Sequence, residues 1–221
     1  GTQAQRKFKL KFGNRSSAYY TGSLDQIRIF SKALNQTEID SLFAEKACVH
    51  TATANTADFP SSATIVAHYP LDNSAEDNKG TNDGTFNGTR QFAFGKYGQA
   101  AKFTNDSTSY IELSTTSTSV FSCSVWVKLD ELGTTAQHII GNSIEPSHPN
   151  DKNFNLYYRG DTNLNKFSFQ SDEGYVGFGP TIQANQWYHV AWSGNNGTLT
   201  KVWVDGQEQS LPTVTSTFDA N

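Results

Sequence analysis

The feature that most constrains the fold is a regular succession of short runs rich in Val, Ile, Phe, Tyr, Trp and Thr, separated by Gly, Asn and Asp. Such runs between turn-forming residues predict β-strands, and their even spacing is typical of a sandwich or a barrel. We therefore expect an all-β fold with strands over residues 6–12, 22–30, 65–71, 99–104, 109–113, 120–129, 137–141, 153–158, 165–170, 186–193 and 199–204.

A single short helix is predicted over residues 37–44. Asn35 or Thr37 would cap its N-terminus, while Ile39, Leu42 and Phe43 would form one apolar face. The sequence after this helix has neither a helical nor a strongly alternating pattern, and Pro60 interrupts it. It is predicted to be a connector.

The composition excludes several classes of protein. With 15 Phe, 9 Tyr and 4 Trp but only 17% charged residues, the chain has ample material for one core, so disorder is not expected. A net charge of −4 gives no reason to bind nucleic acid, and the basic residues at positions 6, 7, 9 and 11 alternate with apolar ones, as on the solvated face of a strand. No apolar run approaches the roughly 20 residues of a membrane span, so no membrane partner is expected.

Two features at the level of the whole chain leave alternatives open. There is no Met, even at position 1, which favours an excerpt of a longer chain. Cys48 and Cys123 are the only cysteines, and their spacing does not decide between one disulfide and two separate thiols.

Several motifs together resemble the laminin-G-like (LamG) domains of the concanavalin A-like lectin/glucanase superfamily. They follow one another in the order expected of that family: Tyr69-Pro-Leu-Asp72, Asn82-Asp-Gly-Thr85, Gly95-Lys-Tyr-Gly-Gln-Ala-Ala-Lys-Phe103, Ser109-Tyr-Ile-Glu-Leu113, Phe121-Ser-Cys-Ser-Val-Trp-Val127, Trp187-Tyr-His-Val-Ala191 and Val202-Trp-Val-Asp-Gly206. The resemblance implies a jelly-roll β-sandwich of two antiparallel sheets with one short helix.

The order of the segments departs from this family. Gly22-Ser-Leu-Asp-Gln-Ile-Arg-Ile-Phe30 and the helix after it resemble the closing strand and tail of a LamG domain, yet the opening strand begins only near Ile65. We therefore divide the chain into closing strands and helix (1–45), a linker (46–63), and opening and central strands (64–221). Because the opening and closing strands of the family lie side by side, residues 1–45 must complete the sandwich of 64–221. They would do so within one chain, as in a circular permutant, or across neighbouring copies, as in strand exchange or a tandem array.

Catalytic motifs are not found in the sequence. Members of the superfamily that hydrolyse β-glucans carry Glu-x-Asp-x-x-Glu on one strand, which directs the carboxylates into one cleft. The adjacent acidic pairs Asp130-Glu131 and Asp172-Glu173 would instead point to opposite faces of a strand. No nucleophile elbow, phosphate loop or Cys/His metal spacing is present either, so we expect a protein that is not an enzyme.

The resemblance implies two kinds of binding site. Domains of this family often hold Ca²⁺ near the junction of the opening and closing strands, which makes Asp25 the carried-over ligand and Asp72 a second one. Alternatively, Asp25 pairs with Arg28 or a backbone amide, and Asp72 forms a turn. The family also binds glycans on one sheet, for which Asn155, Tyr157, Tyr158 and Arg159 on a predicted strand are the candidates, although aromatic residues in a sandwich usually belong to the core.

Two functional hypotheses follow. In the first, the chain is a non-catalytic LamG-like repeat module of a fibre or adhesion protein, outside the cell or on a virion surface, whose partners are neighbouring copies and cell-surface glycans. The linker sequence around Ala47-Cys-Val-His-Thr-Ala52 supports this hypothesis, because it resembles linkers between such modules in structural proteins of marine bacterial viruses. In the second, the chain is a discrete carbohydrate-binding module attached to a larger enzyme.

Overall fold

The computed structural model describes residues 7–15, 18–45, 65–116, 120–142, 155–160, 165–171, 174–195 and 198–211. The predicted linker 46–63, including Cys48, lies outside the described residues. The strands are β1 (Lys7–Phe12), β2 (Asn14–Arg15), β3 (Ala18–Tyr19), β4 (Gly22–Phe30), β5 (Ile65–Tyr69), β6 (Thr85–Asn87), β7 (Gln91–Phe94), β8 (Gln99–Phe103), β9 (Tyr110–Thr116), β10 (Val120–Leu129), β11 (Ala136–Asn142), β12 (Asn155–Arg159), β13 (Lys166–Ser171), β14 (Gly174–Phe178), β15 (Trp187–Asn195), β16 (Thr198–Val204) and β17 (Gln207–Gln209); the helix is α1 (Gln36–Phe43).

Two antiparallel sheets form the sandwich. The seven-stranded sheet has the order β14-β13-β12-β11-β1-β9-β6, and the eight-stranded sheet has the order β17-β16-β15-β10-β4-β8-β7, with β5 also paired to β4. A short ribbon of β2 and β3 adjoins them. The predicted all-β jelly-roll sandwich with one short helix is thus confirmed.

Strands from the beginning of the chain occupy interior positions in both sheets. β1 lies between β9 and β11, with Leu10 opposite Leu113 on one side and Asn142 on the other. β4 pairs along one edge with β10, and along its other edge first with β8 and then with β5. Side chains of β4 are buried apart from the half-buried Ile29. Residues 7–30 therefore supply a central strand to each sheet.

The main core lies between the two sheets and is rich in aromatic rings. Phe169 stacks on Phe178 with ring centroids 5.1 Å apart and meets Trp192 of the opposite sheet edge to face at 5.6 Å. Leu24 and Ile27 of β4 are fully buried in the same core. Such rings bury the largest apolar areas of any side chain, so they dominate the stability of the sandwich. Cys123 is a free thiol buried in this core.

Helix α1 covers part of the outer face of the eight-stranded sheet. Asn35 forms a capping box with Glu38, each side chain accepting a hydrogen bond from the other residue's backbone N–H. The apolar side of the helix packs into a second, smaller core made of Phe30, Leu34, Ile39, Leu42, Ala191 and Trp203. Of the two caps expected from the sequence, Asn35 is the one used.

The described ranges contain no helix that could span a membrane.

Candidate functional site

The hairpin between β7 and β8 brings the two predicted calcium ligands to one loop. Its tip is a tight turn in which the Gly95 N–H donates to the Gly98 carbonyl oxygen at 3.1 Å. A Cβ on Gly95 would lie 2.6 Å from Asp25 Oδ2, and one on Gly98 would lie 2.4 Å from Asp72 Oδ1. Gly98 also has a positive φ of 59°, which favours glycine. Both glycines are therefore needed for the loop to approach the two carboxylates.

Asp25 is buried in β4, and its two carboxylate oxygens differ in their hydrogen bonds. Its Oδ2 accepts the backbone N–H of Tyr97 at 2.9 Å, whereas Oδ1 is buried and has no hydrogen-bond partner among the described residues. Burial raises the pKa of Asp25 to about 7; the backbone N–H groups of Tyr97, Lys96 and Gln26 oppose this rise, and the nearby charge of Asp72 adds to it. Of the two alternatives to metal binding, the backbone amide is realised, because Arg28 pairs with Glu45 at 2.6 Å instead.

Asp72 lies on the other side of the same loop, where its Oδ1 accepts the backbone N–H of Gln99 at 2.6 Å. Both carboxylates thus accept backbone N–H groups of one loop, and carboxylate oxygens are ligands of the kind that Ca²⁺ prefers. Across the residues that the structure describes, no group of three or more His, Cys, Asp and Glu side chains could hold a metal. Further ligands would therefore come from backbone carbonyl oxygens and water. When bound, the ion would neutralise the two carboxylates.

A second polar cluster, which we call the polar row, lies on the outer face of the seven-stranded sheet. It consists of His138, Asn155, Tyr157, Arg159, Ser168 and Tyr175. His138 Nε2 lies 3.1 Å from Asn155 Oδ1, and the Tyr157 ring meets the His138 and Tyr175 rings edge to face at 5.0 and 5.3 Å. The Arg159 guanidinium lies 3.5 Å from the centroid of the Tyr175 ring. The row thus joins aromatic surface to hydrogen-bonding groups.

Most of the polar row is buried, and two of its groups are unsatisfied. Asn155 Nδ2 and Ser168 Oγ are buried without a hydrogen-bond partner in the described part of the chain. Tyr175 is the accessible end of the row, with 42% of its surface exposed. An unmet buried polar group costs about 1–3 kcal/mol, so these two groups favour a polar ligand or water beside them.

The four predicted glycan-binding residues all lie on β12 but do not share a face. Asn155, Tyr157 and Arg159 belong to the polar row, whereas Tyr158 is buried in the main core and donates its hydroxyl to Asn165 Oδ1 at 2.8 Å. Successive side chains of a strand point to opposite faces, which separates Tyr158 from its neighbours. Sequence reasoning also missed Tyr175, for which the strand signal of residues 174–178 was too weak.

A family model described as concanavalin A-like lectin/glucanases superfamily, of the laminin-G type, matches residues 103–221, which is more than half of the chain. The chain belongs to the concanavalin A-like lectin/glucanase superfamily. The match leaves out β1, β4 and α1, which precede residue 103 in the chain although β1 and β4 lie inside the two sheets. No curated protein and no solved structure matches the chain at a significant level.

Proposed function

We propose that this superfamily member is a non-catalytic LamG-like module with a structural role in a fibre or adhesion protein at an extracellular or virion surface. The interior position of β1 and β4 supports the proposal most directly. Removing β4 would leave unpaired edges on β5, β8 and β10 at once, and such edges promote association with other chains. A sandwich that depends on a segment from beyond a linker can be completed by its own chain or by a neighbouring copy, which suits a repetitive assembly.

Deleting residues 1–45 tests the dependence on this segment. The shortened chain should aggregate and lose cooperative thermal unfolding, as measured by light scattering and circular dichroism. Ile27→Asp in the buried β4 should act in the same direction, while Gln91→Asp on the exposed edge of β7 serves as the matched control. A monomeric, soluble deletion variant with an unchanged melting transition would refute the proposal.

Glycan binding is the second candidate function, and the polar row supports it. Sugars stack on aromatic rings and bind polar groups through their hydroxyls, and the row offers the exposed Tyr175 ring against Arg159, with the unsatisfied Asn155 at the other end of β12. In a glycan-array measurement, Tyr175→Ala should lower binding about tenfold or more, corresponding to about 1.4 kcal/mol. Phe94→Ala is the control, because Phe94 is 90% exposed on the other sheet. Equal loss in both variants, or no glycan bound by the wild type, would contradict this function.

Calcium binding between Asp25 and Asp72 is proposed as a stabilising element of the module. The unpartnered Asp25 oxygen beside a second carboxylate supports it. A chelator should lower the melting temperature, because an ion that binds only the folded protein stabilises it. Asp25→Ala should abolish that sensitivity, and an unchanged melting temperature in wild-type protein would remove the ion from the proposal.

A further inference from the structure

Ser23 is a polar residue of β4 that belongs to neither of the sites described above. Its side chain is fully buried, and its Oγ has no hydrogen-bond partner among the described residues. The next residue, Leu24, belongs to the main core, so alternation along the strand places Ser23 on the outer face of the eight-stranded sheet. A buried hydroxyl without a partner costs free energy, which favours a polar ligand or water beside it.

Two lysines flank Ser23 from the neighbouring strands. Lys128 of β10 lies opposite Ser23 on one side, and Lys102 of β8 lies opposite it on the other. The residues before and after each lysine belong to the main core, so both lysines share the outer face with Ser23. The Cα atoms of the two lysines are about 10 Å apart, which is two strand spacings. Their long side chains can therefore reach one anion placed between them.

The charged side chains around Ser23 are two ammonium groups and one carboxylate. Lys102 forms an ion pair with Asp130, whereas the Lys128 ammonium lies 5.2 Å from the centroid of the Trp187 ring. Although Lys102 is paired, burial and the positive charge of Lys128 lower its pKa. The side chains of Lys102 and Asp130 are 24% and 26% exposed, so solvent reaches their charged ends. An anion would have access to this place and would reduce the repulsion between the two ammonium groups.

The backbone beneath these side chains is held in place by Tyr20. Its buried hydroxyl donates to the backbone carbonyl oxygens of Lys128 and Ser23, at 2.8 and 3.1 Å. Gly22 permits this contact, because a Cβ there would lie 2.1 Å from the Lys128 carbonyl oxygen and 2.6 Å from the Tyr20 hydroxyl. β4 and β10 therefore keep Ser23 and Lys128 side by side, which lowers the cost of ordering both groups around one ligand.

We propose that Ser23, Lys102 and Lys128 form a binding site for one oxyanion group, a sulfate, phosphate or carboxylate, on the outer face of the eight-stranded sheet. The two ammonium groups supply positive charge, and the Ser23 hydroxyl donates a hydrogen bond to the anion. The half-buried Trp187 ring beside Lys128 adds an aromatic surface for the rest of an acidic sugar, if the oxyanion is carried by one. The site lies on the sheet opposite the polar row and requires no metal, so it stands apart from the functions proposed above.

The test is a titration of the full ¹⁵N-labelled chain with sodium sulfate, followed by NMR, with sodium chloride added to keep the ionic strength constant. Lys128→Gln should weaken sulfate binding about tenfold or more, because it removes one charge-assisted hydrogen bond. Lys201→Gln is the matched control, since Lys201 also pairs with a carboxylate and lies over a tryptophan ring on the same sheet. Ser23→Ala should weaken binding about threefold to tenfold. In chloride it should not lower the melting temperature, because the unpartnered hydroxyl makes no hydrogen bond to lose.

Three results would overturn the oxyanion site. They are sulfate binding no stronger than that of chloride at equal ionic strength, equal weakening by Lys128→Gln and Lys201→Gln, and unchanged sulfate affinity in Ser23→Ala. Titrations with sodium acetate and sodium glucuronate then identify the source of the anion. Stronger binding of glucuronate than of acetate, with a shift of the Trp187 indole signal, supports the site as one for an acidic sugar. Equal binding of the two supports it as a site for a free anion.

Discussion

The outer faces of the two sheets carry similar side chains, but only the eight-stranded one is covered by α1. Each carries aromatic rings and a buried histidine, yet α1 covers the eight-stranded face and turns it into a second core around Trp203, while Tyr175 stays exposed on the seven-stranded face. His138 on the latter is hydrogen-bonded to Asn155, whereas neither ring nitrogen of His189 on the former has a hydrogen-bond partner in the described structure. The helix therefore gives the eight-stranded face an apolar cover, whereas the polar row on the seven-stranded face is buried except at Tyr175.

The strongest test of this comparison is to truncate one aromatic side chain on each face and compare the losses of stability. Trp203→Ala should lower the free energy of unfolding by about 3–5 kcal/mol, because it removes a fully buried ring from the second core. Tyr175→Ala should cost about 1 kcal/mol or less. Urea denaturation of both variants measures the difference, and similar losses would show that the two faces contribute equally to stability.

His189, which lies on the covered face, should make the stability of the protein depend on pH. Burial, together with the positive charges of Arg28 and Lys96, lowers the pKa of His189 from 6.5 to about 3. Below pH 6.5 the unfolded chain takes up a proton at His189 that the folded protein does not, so this residue should lower stability by at most about 1.4 kcal/mol per pH unit down to about pH 3. The raised pKa of Asp25 acts in the opposite direction between about pH 7 and pH 4. In denaturant melts at several pH values, His189→Phe should therefore lose less stability than the wild type as the pH falls, and the half-buried His68→Gln should follow the wild type. An unchanged slope in His189→Phe would assign the pH dependence to other groups.

A smaller effect is expected at the cap of the covering helix. Asn35→Ala removes one half of the capping box and should cost about 1 kcal/mol. If α1 is an integral part of the second core, this loss appears in global unfolding. Thr37→Ala on the exposed side of the helix is the control and should change stability by about 0.5 kcal/mol or less. A loss seen only as local fraying in hydrogen exchange would mean that the helix is not coupled to the sandwich.

Strands and the helix were predictable where their own residues carry the pattern. Each predicted strand overlaps one in the structure, and the helix predicted over 37–44 is found at Gln36–Phe43. The strands that sequence reasoning missed are short or weakly patterned, as in β7 (Gln91–Phe94) and β17 (Gln207–Gln209). The residues of β17 are extended because they pair with β16, so their own sequence carries little strand pattern.

The candidate site was predictable only in part for a related reason. Motif resemblance selected Asp25 and Asp72, and the structure places both against one loop. It did not select Tyr97. The backbone N–H of Tyr97 contacts Asp25 and its hydroxyl contacts Glu45, and contacts over such long sequence distances leave no local pattern. On β12, alternation predicts that Tyr157 and Tyr158 point to opposite faces, but not which of them faces the core.

By itself the sequence determined the period-two strands, their turns, the capped helix and, through ordered motifs, the superfamily. These properties depend on residues a few positions apart, where propensity and hydrogen bonding act directly. Tertiary structure alone decided that β1 and β4 pair within this chain at the centre of the two sheets, and that α1 buries one outer face but not the other. Those outcomes depend on contacts between distant residues, such as Leu10 with Leu113, whose gain in burial and backbone pairing outweighs the entropy of closing a long loop.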